Sequence, residues 1–160
     1  MNKKRLLNQL ASELEALYQT ALKAAKRAHN TATDKANIAE NKYDTLGLEA
    51  AYLAEGQAKR ASECQVELEV IQKLPAIDFL PNDAIAVGAL VVLVDQFETQ
   101  KYLFLAPVAG GHNFSYEGNS IVVITPSSPL GRALLGKYVD DEFELQVSHE
   151  QKSYLISETY

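Results

Sequence analysis

Apolar residues fall on a helical period from the seventh residue onward. Leu7, Leu10, Leu14, Leu17, Ala21, Ala24 and Ala28 alternate steps of three and four, the a/d seam of a coiled coil. A second seam with the same alternation runs through Tyr43, Gly47, Ala50, Ala54, Gln57, Ala61, Cys64, Leu68 and Ile71. The first segment contains no glycine or proline, and the second tolerates Gly47 and Gly56, each costing roughly 1 kcal/mol relative to alanine. The first seam passes from leucine to alanine, and the second from alanine to leucine and isoleucine. Folded antiparallel, the bulky ends meet at one end and the alanine ends at the other. The pattern predicts a helical hairpin, thick at its base and slender toward its turn, with arms of ~25 residues reaching on the order of 35–40 Å. Small and polar residues at 29–36 predict the turn. Asn37 followed by Glu40 reads as a capping box that restarts the helix.

After Leu74 the period changes. Pro75 and Pro81 bracket a linker, and short β-branched runs follow at 89–96, 102–107, 120–125, 142–147 and 153–158. Gly110-Gly111 and Glu117-Gly118-Asn119 mark turns, and 148–151 the bend of a hairpin. One helix interrupts these strands at 127–137, with a serine N-cap, proline at its first position and a glycine stop. The expected architecture is α+β: a coiled-coil finger over 1–74, a linker over 75–84, and a β-sheet domain with one short helix over 85–160.

Composition narrows the function. The chain of 160 residues is 47% hydrophobic and 22% charged, ordinary values for a globular protein. No run approaches the ~20 apolar residues of a membrane helix, and Glu13 and Glu15 interrupt any signal-peptide core, so a soluble cytoplasmic protein is expected. The single Cys64 excludes an internal disulfide and a cysteine-rich zinc site. A net charge of −6 repels free nucleic acid, so any contact with RNA or DNA is local or arranged by a protein partner. Lys23, Lys26, Arg27, Lys35 and Lys42 supply such a local basic cluster toward the turn, although lysine scattered on a solvated helix face reads the same way. There is no Ser/His/Asp or Cys/His set, phosphate-binding glycine loop or pair of metal-ligand histidines, and His112, a lone histidine in a turn, is not read as catalytic. Enzyme activity of the chain's own is not expected.

The segment SSPLGRALLGKYVDDEFEL (127–145) resembles the C-terminal domain of the bacterial transcript-cleavage factors GreA and GreB, which has an FKBP-like fold. The tip motif of that family, Asp-x-x-Glu-Asn, is echoed by Asn37-Ile38-Ala39-Glu40-Asn41, and Glu55-Gly56 falls at the family interval after it. The resemblance implies an elongation factor that binds RNA polymerase and inserts its coiled coil into the secondary channel. Two tip carboxylates there help hold a Mg²⁺ shared with the polymerase, and backtracked RNA is hydrolysed. It implies no tightly bound cofactor, contact with RNA or DNA only through the polymerase, and docking on the polymerase surface near Ser128 and Pro129.

The departures bear on chemistry. The loop before Asn37 is longer, the following tyrosine is displaced to Tyr43, and the family aspartate position holds Asn37. Mg²⁺ prefers anionic oxygen, which an amide does not offer. Glu40 remains, Asp44 lies one helical turn on, and Asp34 precedes it in the loop. These three acids are the candidate site, against the plainer reading of Glu40 as a cap and the aspartates as solvated charge. A different class of function stays open: a scaffold or dimerisation arm that engages an unrelated partner or a second copy of the chain.

Overall fold

The computed structural model describes residues 1–33, 45–147 and 150–160. Helices α1 (Lys3–Thr33) and α2 (Thr45–Gln72) precede strands β1 (Leu90–Asp95), β2 (Gln100–Leu105), β3 (Asn113–Tyr116) and β4 (Asn119–Ile124). Helix α3 (Pro129–Leu134) then leads to β5 (Glu142–Val147) and β6 (Glu150–Thr159). The chain forms two compact units, one of Met1–Leu10 with Val70–Tyr160 and one of Ala11–Glu69. Helix α1 leaves the first unit and α2 returns to it, so the second unit is an antiparallel helical pair.

Within that pair the buried positions of α2 follow the expected spacing along its described length. Gly47, Ala50, Ala54 and Gln57 are half-buried, and Ala61, Cys64 and Leu68 are buried. On α1, Leu14 and Ala28 are buried, but Leu17 is 41% exposed while Tyr18 is half-buried. A helix of 3.6 residues per turn drifts against a 3.5-residue repeat, and here the drift moves position 18 toward the seam in place of 17. Helix α1 also continues through His29 to Thr33, beyond the point where small polar residues predicted its end. The Thr31 and Thr33 hydroxyls donate to the carbonyls of Arg27 (3.1 Å) and His29 (2.9 Å), so they bond within the helix rather than compete with it.

In the other unit a six-stranded sheet runs β3-β4-β2-β1-β6-β5. All pairings are antiparallel except β2 with β4. Five strands lie where alternation and β-branching predicted them. The sixth, β3, was not expected. It has four residues, pairs Ser115 with Ser120, and buries one side chain, Phe114, too short a run for a period to show.

Leu90, Val91, Val92 and Leu93 in β1 are all buried, so both faces of this strand are covered. Val91 and Leu93 lie in a core with Leu103, Leu105, Ile156 and Leu134 of α3. Leu90 and Val92 pair with Phe104 and Tyr102 and point the opposite way. In this unit the start of α1 contributes Leu6 and Leu10, both fully buried, worth about 1.5–3 kcal/mol each on transfer grounds. The same turn carries Lys3, which is 4% exposed, with its Nζ 5.7 Å from the Phe104 ring centroid and 5.4 Å from that of Phe79. The ammonium donates to the Gly88 carbonyl (2.7 Å) and to the Tyr160 carbonyl.

Burial pulls the Lys3 pKa down to about 8, partly offset by Asp78. Between pH 8 and 10 the folded protein releases this proton while an unfolded lysine keeps it, so stability rises with pH across that window. The gain is on the order of 2–3 kcal/mol. Denaturant melts at pH 7.5 and 9.5 should show this rise in the wild type and lose most of it in Lys3→Met. A wild type equally stable at both values would remove Lys3 from this role.

Candidate functional site

The α3 motif is built from backbone needs. Proline at the first helical position has no N–H to leave unsatisfied. Ser128 caps the helix: its hydroxyl accepts from the Gly131 N–H (3.0 Å) and donates to the Thr125 carbonyl (2.8 Å). Both capacities of that hydroxyl are therefore used inside the fold. Gly131 is buried against the Thr125 carbonyl, and a Cβ there would come within 2.8 Å of its carbon. The Arg132 guanidinium donates to the Ser127 carbonyl. Gly136 ends the helix in the left-handed region, at φ 77°, and its N–H donates to the Ile85 carbonyl (2.9 Å). The acidic pair that follows is also structural at one position, since Asp141 accepts from the Tyr138 N–H (2.8 Å).

Pro129 is exposed and Ser128 half-buried, so of the two expected docking residues only Pro129 offers a free face. Lys137 lies 5.9 Å from the Phe143 ring centroid, a cation–π contact within the unit. His112 stacks on Phe114, with centroids 6.3 Å apart.

On the helical pair, Lys23, Lys26 and Arg27 are exposed. Their i, i+3, i+4 spacing puts them on one stripe of α1 away from the buried line through Leu14, Tyr18 and Ala28. Asp34, Lys35, Asn37, Glu40, Lys42 and Asp44 lie outside the described residues, as does the expected capping box. Among the described residues no group of three or more acidic, histidine or cysteine side chains gathers as a metal site. No described helix is long and apolar enough to cross a membrane.

Lys3 is the residue that the sequence concealed. Beside Lys4 and Arg5 at a helix start it reads as solvated, and no spacing marks it as buried.

Residues 80–159 match the family described as transcription elongation factor GreA/GreB, C-terminal domain. The chain is 28% identical over 151 residues to the transcription elongation factor GreA of Rhodospirillum rubrum, covering 94% of this chain and 90% of that one. It is 34% identical over 112 residues to that of Sphingopyxis alaskensis, covering 65% and 67%. The crystal structure of Gfh1, a GreA factor homolog of Thermus thermophilus, is similar at a TM-score of 0.41 and 18% identity, over 99% of this chain and 94% of that one. That likeness is too slight to bear on the fold.

The Ser128 and Gly131 geometry predicts two graded losses of stability. Ser128→Ala should cost about 1 kcal/mol through the lost cap. Gly131→Ala should cost about 2–4 kcal/mol, because the methyl group meets backbone that cannot yield cheaply. Urea midpoints of the two variants measure both, and a Gly131→Ala variant as stable as the wild type would contradict the packing.

Proposed function

Because the chain belongs to the GreA/GreB family of transcription elongation factors, we propose that it regulates elongation by binding RNA polymerase and inserting its helical pair into the secondary channel. The family match over 80–159 is the observation that carries this reading. The antiparallel pair supports it, since a seam of alanine and glycine at 47–54 and 21–28 gives a slender arm. A factor of this kind works in the cytoplasm.

The exposed stripe of Lys23, Lys26 and Arg27 then serves as the local cationic contact, against RNA phosphates or the channel wall, with Lys35 and Lys42 continuing it by sequence. Such contacts compensate for a net charge of −6 that keeps the free protein away from nucleic acid.

At the tip, Glu40 and either Asp44 or Asp34 are the anionic ligands for a Mg²⁺ shared with the polymerase, and Asn37 is the weak member. A carbonyl oxygen without charge holds a hard cation less well than a carboxylate. When bound, that metal supplies activation of water and charge neutralisation at the cleaved phosphate. The chain's own contribution is to place carboxylates and to occupy the channel. With Asn37 in place, occupancy outweighs stimulation of cleavage.

Added to stalled, backtracked complexes, the wild type should slow nucleotide addition and shorten RNA 3′ ends slowly. Asn37→Asp should speed the shortening at least about tenfold (about 1.4 kcal/mol of barrier), and Glu40→Ala should abolish it. Equal rates for wild type and Asn37→Asp on an RNA gel would refute the carboxylate argument.

A further inference from the structure

Helix α2 is apolar on two sides. One side carries the seam of the helical pair, where Ala61, Cys64 and Leu68 are buried. The other is open: Leu48, Tyr52 and Val66 are 54%, 65% and 55% exposed. A helix of 3.6 residues per turn sets Leu48, Glu55, Lys59 and Val66 within about 20° of one line, opposite the buried one, with Tyr52 beside it. Ala51, Gly56, Ala58 and Ser62 flank that line and are exposed as well.

Single exposed apolar side chains are ordinary, and Glu55 and Lys59 have the i, i+4 order that suits a solvated helix. Neither fact accounts for three large apolar side chains along one line of a helix whose seam is already filled on the far side. Nor does either account for Gly56. Glycine destabilises a helix interior relative to alanine, and a Cβ here would meet nothing within 4 Å, so no packing inside the chain calls for it. Small residues beside an apolar line do let a second helix come close.

The order of residues along the line identifies that second helix. Leu48 and Val66 lie nine positions either side of Gln57, and Glu55 and Lys59 lie two positions either side of it. A two-fold axis at the level of Gln57 therefore sets Leu48 of one copy against Val66 of a second copy, and Glu55 against Lys59, twice each. An isologous contact has to be complementary to itself, and one axis here satisfies the apolar and the charged pairs together. A parallel pairing in register would instead set Glu55 against Glu55 and Lys59 against Lys59. Glu63, at the edge of the line, is paired with Arg60 of its own helix (3.9 Å).

We propose that this face of α2 is an interface between two copies of the chain, packed antiparallel about a two-fold axis at Gln57. The contact goes beyond the polymerase reading and is independent of it. From Leu48 to Val66 the line runs about 27 Å. One helix face of that length falls short of the roughly 1,200 Å² of a standard interface, so the dimer is weak and forms only as the concentration rises.

Sedimentation velocity of the full chain, over a concentration series reaching about 1 mM, should shift from monomer toward dimer. Leu48→Glu/Val66→Glu should weaken the dimer at least about tenfold. Its melting curve should stay near that of the wild type, because both side chains are exposed. Glu55→Lys and Lys59→Glu each set like charges together and should each weaken self-association several-fold. An equimolar mixture of these two variants should associate more tightly than either alone, since opposite charges meet again across the axis. A merely damaged helix would not give that rescue.

A wild type that stays monomeric throughout overturns the proposal, as does a dimer untouched by Leu48→Glu/Val66→Glu or a mixture no better than its components. If the wild type is monomeric and Leu48→Glu/Val66→Glu instead lowers retention on RNA polymerase, the face belongs to that partner and the proposal fails.

Discussion

A strand buried on both faces must be covered twice, and the sheet unit is arranged around that requirement at β1. Leu90 through Leu93 expose almost nothing, as four consecutive apolar residues demand. Helix α3 and its flanks cover one side. On the other, the chain uses the first turns of its longest helix, which brings Leu6 and Leu10 into the core. The same geometry draws Lys3 into a place where an ammonium is costly, and two carbonyls and two rings make it tolerable. The Tyr116 hydroxyl donates to the Asn2 carbonyl (3.2 Å), a further tie between β3 and this helix start. The sheet unit thus depends on residues almost ninety positions away from its first strand.

That dependence explains which parts of the fold were legible. The α2 seam could be read residue by residue, because burial in a helical pair follows a local period. Five strands could be read because each alternates or is continuously apolar over about six residues. Strand β3 could not, since one buried phenylalanine in four residues makes no pattern. Leu17 and Tyr18 exchanged roles because a period fixes a stripe and not the neighbour that fills it. Lys3 was illegible in principle: its burial is set by Gly88, Phe104 and Tyr160, and nothing in residues 1–10 encodes them. At the candidate site, the cap and the glycine of α3 were legible from local chemistry.

A net charge of −6 conceals the distribution that matters. Lys23, Lys26 and Arg27 form an exposed stripe on α1, while Glu142, Glu144 and Glu158 share one face of the sheet. A total charge does not show this separation of sign along the chain. The total predicts only repulsion from nucleic acid.

The residues that make the family recognisable are held by packing, and they are not the tip acids proposed for its chemistry. Ser128 uses its hydroxyl fully on Thr125 and Gly131, and Gly131 is required because no side chain fits. These positions are constrained by packing, and a sequence that keeps the fold has to keep them. Asn37 and Glu40 lie outside the family match at 80–159, and a change there from carboxylate to amide removes a charge. The family match and the candidate tip acids thus lie on separate stretches of the chain. A match in the sheet unit accordingly says nothing of the charge at position 37, where the sequence holds a neutral amide and a hard cation would prefer a carboxylate.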